Sequence, residues 1–289
     1  MKRALLTAAN ERFFPGALAL MQGAARHHPD VERWCIVNEF EIPKAKALFG
    51  HLANVIASPR KLAGIPDELQ IGVGKLFSVE LPADRVAYVD ADAVLCRPAP
   101  ELWETEPGKV SVIKDCAPNV ISTVARSMKE KFQAQFPDFC DIPCFNGGVW
   151  SLAPADFPNL VRQYEEALAA GNYNGYHFMF DQALLNVLFR PNLHWLPFQF
   201  NVNNLFDRKI PADARVVHFT GGVCKPWSPQ YPKHEPQYYW WLKHGLNETR
   251  RSRLLAAKLK IWLWTPKRIL GRKLRKLVGR SQKNQNLQN

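Results

Sequence analysis

Asp90-Ala91-Asp92 follows directly on the apolar run Val86-Ala87-Tyr88-Val89, where an open α/β sheet presents its ligand crevice. Two carboxylates two residues apart beyond a strand end can share one cation, and hard oxygen donors suit Mg2+ or Mn2+. The same spacing fits a turn with two solvated aspartates, so the surrounding sequence has to decide. Further along lie Asn146 and Gly147, the pair Asp181-Gln182, and then His218, Gly221, Gly222 and Lys225. Short amides and carboxylates can donate to or accept from the hydroxyls of a polar ligand. Glycine lets backbone approach a phosphate, and lysine supplies a point charge. Taken singly, each also has a plain role: Asn146 in a turn, Asp181 as a helix N-cap, His218 at a strand end, Lys225 solvated in a loop. Cys140 and Cys144, four residues apart, lack the second pair a zinc site would want. The six scattered cysteines read as reduced thiols.

The elements that must position these residues alternate between short β-branched runs and helical patterns, as a mainly parallel sheet with crossover helices requires. Strands are expected at 3–7, Val31–Val37, Asn54–Ala57, Val86–Val89, Val110–Ile113 and Gly147–Leu152. Helices are expected at 15–26, Ile42–Leu48, 119–134, 154–170 and 178–189. Between 191 and 241, seven prolines stand amid aromatics, which suits loops and edge strands packed on the first unit better than a second doubly wound domain. The expected organisation is one catalytic domain, 1–240, followed by a tail, 241–289.

Four blocks, in order, resemble those of glycosyltransferase family 8, which includes bacterial lipopolysaccharide galactosyl- and glucosyltransferases. Lys75-Leu76 precedes Arg85-Val86-Ala87-Tyr88-Val89-Asp90-Ala91-Asp92 and Glu101-Leu102-Trp103. Phe145-Asn146-Gly147-Gly148-Val149 is similar to the family's F-N-[AS]-G-V, with Gly147 where Ala or Ser is usual. Asp181-Gln182-Ala183-Leu184-Leu185-Asn186 resembles D-Q-x-x-L-N. His218 to Trp227 resembles H-[FY]-x-G-x-x-K-P-W, with one extra residue before Lys225. The resemblance implies a GT-A type α/β fold for nucleotide-diphospho-sugar transfer, with Asp90, Asp92 and His218 as metal ligands. An imidazole in that set favours Mn2+, with Mg2+ the alternative. It implies a UDP-sugar donor, with Asn10 near the base or ribose, Ala8, Ala91 and Lys75 in the donor site, and Gly221 and Lys225 at the diphosphate. Asn146, Gly147, Asp181 and Gln182 would surround the transferred sugar. The family retains anomeric configuration. The amide of Gln182 is a poor nucleophile, so front-face attack is expected ahead of a covalent intermediate on Asp181.

Charge separates the tail from the body. The chain carries 38 Lys+Arg and 26 Asp+Glu, a formal +12. Residues 250–289 hold 13 of those cations and no acid, leaving 25 against 26, or −1, in residues 1–249. That argues against a basic groove of the folded body tracking a nucleic acid and for a separate appendage. Leu270, Leu274, Leu277 and Val278 recur at helical spacing with basic residues on the remaining arc. Trp262 and Trp264 precede Thr265-Pro266. This is the pattern of an amphipathic helix lying on an anionic membrane through residues 250–280. The start, Met1 to Ala9, has too short an apolar run for a secretory signal, and no run of 18 apolar residues occurs. The expectation is a cytoplasmic protein, peripheral on the membrane, moving a hexose to a saccharide or glycolipid acceptor. The rival readings are a nucleotidyltransferase of similar fold, disfavoured because Thr7-Ala8-Ala9-Asn10 lacks a glycine-rich basic loop, and a non-catalytic membrane or nucleic-acid binder.

Overall fold

The computed structural model describes residues 1–171, 180–203, 210–220, 224–233, 235–247, 252–260 and 262. The chain divides into two compact units, Met1–Gly221 and Gly222–Asn289. The first unit contains β1 (Arg3–Ala8), α1 (Phe14–His27), β2 (Glu32–Val37), α2 (Ile42–Phe49), β3 (Asn54–Ala57), β4 (Arg85–Val89), β5 (Ala93–Leu95) and β6 (Val110–Lys114). It continues with α3 (Lys129–Gln135), β7 (Phe145–Leu152), α4 (Leu160–Ala170), α5 (Phe180–Phe189), β8 (Leu193–Leu196) and β9 (Val216–His218).

Seven strands form one sheet in the order β3-β2-β1-β4-β7-β6-β8, and β5 pairs with β9 in a small second sheet. β1, β2, β3 and β4 pair in parallel, as do β6 and β8; β7 runs antiparallel to both β4 and β6. The mixed, mainly parallel sheet is thus the one expected. Its central strands are buried on both faces, which explains their continuous apolar runs. Alternate residues divide into two layers. Leu6, Val86, Tyr88, Val112 and Trp150 join the layer under α4 and α5. Leu5, Ala87, Val89, Ile113 and Val149 meet Leu20 and Met21 of α1.

Local chemistry explains where the structure departs from the helical pattern. The stretch 119–134 is not one helix: 3-10 turns at Val120–Thr123 and Arg126–Met128 precede α3. Asn119 accepts from the Ser122 amide, and Val124 and Ala125 are extended, so β-branched residues and a competing side-chain bond break the helix. Likewise 154–170 opens as a 3-10 turn at Pro154–Asp156, and α4 starts only after Pro158. Of the helix expected at 178–189, residues 178 and 179 lie outside the described residues. The long 3-10 segment Asp67–Glu80 and the short strands β5, β8 and β9 carry too few residues of one period to be read from sequence. The proline-rich stretch does supply an edge strand, β8.

In the second unit, α6 (Pro236–Trp240) runs into a wider turn at Trp241–Gly245, and residues 252–260 are helical. Trp227 and Trp241 pack with ring centroids 5.1 Å apart, and the Tyr231 hydroxyl donates to Gln237 Oε1 at 2.8 Å. The repeat expected at Leu270, Leu274, Leu277 and Val278, with Trp264 and Pro266, lies outside the described residues. No described helix is long and apolar enough to cross a membrane.

Candidate active site

β4 ends at Val89, and a short turn closed by the Ala93 amide on the Asp90 carbonyl starts β5. That turn presents Asp90 and Asp92. β5 then pairs with β9 so that Ala93 stands opposite His218, bringing the histidine across 126 residues of sequence to the aspartates. One ligand atom from each of the three lies within 4.8 Å of the others. His218 Nε2 is 3.0 Å from Asp92 Oδ1 and 3.5 Å from Asp90 Oδ2. Its Nδ1 is 3.1 Å from Asn201 Oδ1. Asn201 donates through Nδ2 to Asn146, which turns its oxygen to the ring. The ring proton therefore belongs on Nδ1, leaving the Nε2 lone pair toward the carboxylates, the tautomer a metal needs.

Gly148 makes room for this cluster. A Cβ there would collide with the His218 ring and with Asp90 Oδ2. Two carboxylates and an imidazole converging on a space kept open by glycine fit a divalent cation of the Mn2+ or Mg2+ kind. Cys140 and Cys144 take no part. Both are buried, and burial pushes both thiols up, Cys144 to about 12.

Beside the cluster, Lys75 is buried with three oxygen neighbours. Its Nζ lies 2.7 Å from Asp181 Oδ2, 3.2 Å from the Gly147 carbonyl and 3.6 Å from Asp90 Oδ1. Burial alone would lower its pKa, but Asp181 and Asp90, helped by Asp92, outweigh it and hold the ammonium above the ordinary lysine value. The Tyr88 hydroxyl donates to Asp90 Oδ1 at 2.6 Å, and burial followed by the Asp90 charge raises its pKa, so it stays a donor. Lys75 and Tyr88 thus hold one oxygen of Asp90 while the other faces His218.

A third layer is built on Asn146, at the start of β7. Its Nδ2 donates to Asp115 Oδ2 at 2.5 Å and lies 3.4 Å from Gln182 Oε1; its Oδ1 accepts from Asn201 Nδ2 and the Gly148 amide. Its amide is therefore fully used within the chain. Gln182 Oε1 also accepts from the Gly147 amide at 3.0 Å, while Gln182 Nε2 is buried with no partner. Asp115 sits just past β6 and caps the Ala117 amide.

A protein-family model for glycosyl transferase family 8 matches residues 75–230, more than half of the chain and every layer of this cluster from Lys75 to His218. The chain belongs to glycosyl transferase family 8. Solved structures share its fold. The galactosyltransferase LgtC, in complex with donor and acceptor sugar analogues, superposes with a TM-score of 0.55 at 19% identity, over 78% of this chain and 90% of that one. The glycosyltransferase GlyE of Streptococcus pneumoniae TIGR4 gives 0.60 at 15% identity, over 92% of this chain and 64% of its own. The bifunctional glycosyltransferase WbbM gives 0.55 at 16% identity, over 78% of this chain and 47% of its own. No curated protein sequence matches the chain.

The family 8 chain thus has the GT-A type α/β fold, and its sheet gathers most of the residues singled out from sequence. Lys75, Asp90, Asp92, Asn146, Gly147, Asp181, Gln182 and His218 form one connected set. Ala91 is buried between the two aspartates. Ala8 ends β1, and Asn10, two residues on, keeps a buried Oδ1 with no partner. Gly221 lies outside the described residues. Lys225 belongs to the second unit, where its amide donates to Ser228 Oγ at 3.3 Å. Sequence reasoning missed Tyr88, Asp115, Gly148, Asn201 and Asn203. Tyr88 and Gly148 lie inside the motif blocks and were legible there as spacing; the other three have no local signature.

Proposed function

We propose that this glycosyltransferase moves a hexose from a UDP-sugar to a saccharide acceptor, lipid-linked or part of a lipopolysaccharide core, with retention of configuration. The observation that carries the reading is the convergence of Asp90, Asp92 and His218 beside the half-buried Asp181 and the buried Gln182. Asp90, Asp92 and His218 would hold Mn2+, with Mg2+ the alternative, and the ion supplies charge stabilisation to the departing diphosphate. Lys75 keeps Asp181 and Asp90 in place without itself titrating. Ala8, Asn10 and Ala91 would line the donor site, with Asn10 Oδ1 open to a base or ribose donor group. Lys225 and Gly221 would serve the diphosphate.

Asp181 is held by the Lys75 ammonium at 2.7 Å, which takes nucleophilicity from its carboxylate, and Gln182 carries only an amide. Both facts favour front-face attack. In that step the bond from the anomeric carbon to the phosphate oxygen breaks, the acceptor oxygen bonds on the same face, and its proton passes to the phosphate. Leu255, Leu259 and Trp262, exposed among Arg253, Lys258 and Lys260, support a membrane-surface role for the tail and hence a cytoplasmic, peripheral location.

Slow Mn2+-dependent hydrolysis across a panel of UDP-sugars tests the reading. The wild type should hydrolyse at least one, and Asp92→Asn should lose about 10²-fold or more in kcat. A folded wild-type chain that turns over no UDP-sugar would sink it.

A further inference from the structure

The hydrogen-bond network running from His218 through Asn201, Asn146 and Asp115 ends in two buried groups without partners, Gln182 Nε2 and Asn203 Oδ1. Gln182 is 5% exposed and Asn203 2%. Their neighbours fix both orientations. Gln182 turns its oxygen to the Gly147 amide at 3.0 Å, so its NH2 points away. Asn203 Nδ2 lies 3.5 Å from Asp115 Oδ2, and a carboxylate oxygen calls for the nitrogen, so the Asn203 oxygen points away. Buried polar groups are rarely left unpaired, and here one donor and one acceptor are left at the same network.

The backbone places Asn203 for this purpose. Val202 donates to the Val216 carbonyl and accepts from the His218 amide, so the segment is extended beside β9. Asn201 and Asn203, two residues apart, point to one side, Asn201 at the His218 ring and Asn203 one step on at Asp115. The Asn203 carbonyl is tied down by the Thr220 hydroxyl. Asn146 has no capacity left to read a ligand, whereas Gln182 and Asn203 have one group each.

A hydroxyl both accepts and donates, so one ring hydroxyl can satisfy both orphans at once. We propose that Asn203 is a specificity-determining residue that, together with the Gln182 amide, binds one ring hydroxyl of the saccharide in this site. The proposal rests on the hexosyl-transfer reading above. The same chemistry serves a hydroxyl of the transferred hexose or of the acceptor, and the two separate by experiment.

The full-length chain loaded with Mn2+ is assayed as wild type and Asn203→Ala. One arm follows hydrolysis of UDP-glucose, UDP-galactose and their monodeoxy forms without acceptor. The other follows transfer to methyl glucoside and methyl galactoside and their monodeoxy forms. Asn203→Ala should lower kcat/KM about tenfold. One monodeoxy sugar should lose a similar factor on the wild type and nothing further on the variant, because the two changes remove the same bond. A loss already present in hydrolysis assigns the hydroxyl to the donor; a loss confined to the acceptor KM assigns it to the acceptor. Mn2+ affinity and melting temperature should match the wild type, as a merely structural role would not allow. Should the alanine variant fail to fold, Asn203→Ser and the monodeoxy series on the wild type read the same coupling. Unchanged kcat/KM in both arms, or losses that add for every monodeoxy sugar, would mean water fills the slot and overturn the proposal. A wild type inactive on every donor removes the hexosyl-transfer reading, and this proposal with it.

Discussion

Two adjacent glycines of β7 have opposite tolerances. A Cβ on Gly147 would sit 3.4 Å from Gln182 Cα and Cβ, an ordinary contact, whereas one on Gly148 would strike both His218 and Asp90. Gly147→Ala should therefore keep Mn2+ affinity and melt at the wild-type temperature or higher, since alanine restricts the unfolded chain more than glycine. Gly148→Ala should fold yet lose about 10–100-fold in Mn2+ affinity, read by titration calorimetry. Equal behaviour of the two variants would contradict the geometry. The aspartates were legible in the sequence because the blocks around them stand in the family's order, two carboxylates after a strand being equally at home in a solvated turn, and His218 because its block closes that order. Asn201 and Asp115 were not, since an asparagine orienting a histidine ring or an aspartate holding an amide carries no spacing of its own.

Among the elements, the long strands β1, β2, β4 and β7 could be read from apolar runs, because central strands are buried on both faces. β5 and β9 could not: three residues set no period, and their pairing is a long-range event. The junction of α1 with the turn at Pro100–Trp103 offers an element-level test. His28 caps the C-terminus of α1, and its Nε2 accepts the Ala99 amide at 2.9 Å while its ring lies 4.9 Å from Trp103. Burial first, then the neighbouring His27, lowers its pKa from the ordinary 6.5. The folded state binds the proton less readily than the unfolded chain, so this contribution is complete above pH 6.5. It is lost as pH falls from there toward the lowered folded value. Thermal or urea unfolding should show stability level above pH 6.5 and falling below it, by at most about 1.4 kcal/mol per pH unit for one such group. His28→Gln should flatten part of that slope, and His27, also lowered by burial and by Arg26, should account for a remainder of the same sign. A slope unchanged in His28→Gln would exclude this cap as its source.

Over the whole molecule, the formal +12 belongs to residues 250–289, while residues 1–249 are near neutral. The helix at 252–260 buries Ala257 and sets the Lys258 ammonium 5.2 Å from the Tyr239 ring centroid, so its first turns are part of the second unit's packing. Deleting 263–289 leaves those contacts in place. That variant should keep UDP-sugar hydrolysis and bind phosphatidylserine vesicles more weakly, each basic residue removed being worth about 1 kcal/mol near the surface. Parallel loss of both would tie the segment to the catalytic fold instead.

The pairing of β5 with β9 has a consequence in time. Asp90 and Asp92 leave the ribosome more than a hundred residues before His218, and Asn201, which sets the tautomer of that histidine, precedes it by only seventeen. While the 126 residues from Asp92 to His218 are made, the nascent chain carries only two of the three side chains that could hold a cation. The third ligand arrives with a contact of high sequence separation, the kind that forms late. A site completed only by that pairing would take up its cation as the fold closes, and a chain stalled before His218 would lack the third ligand.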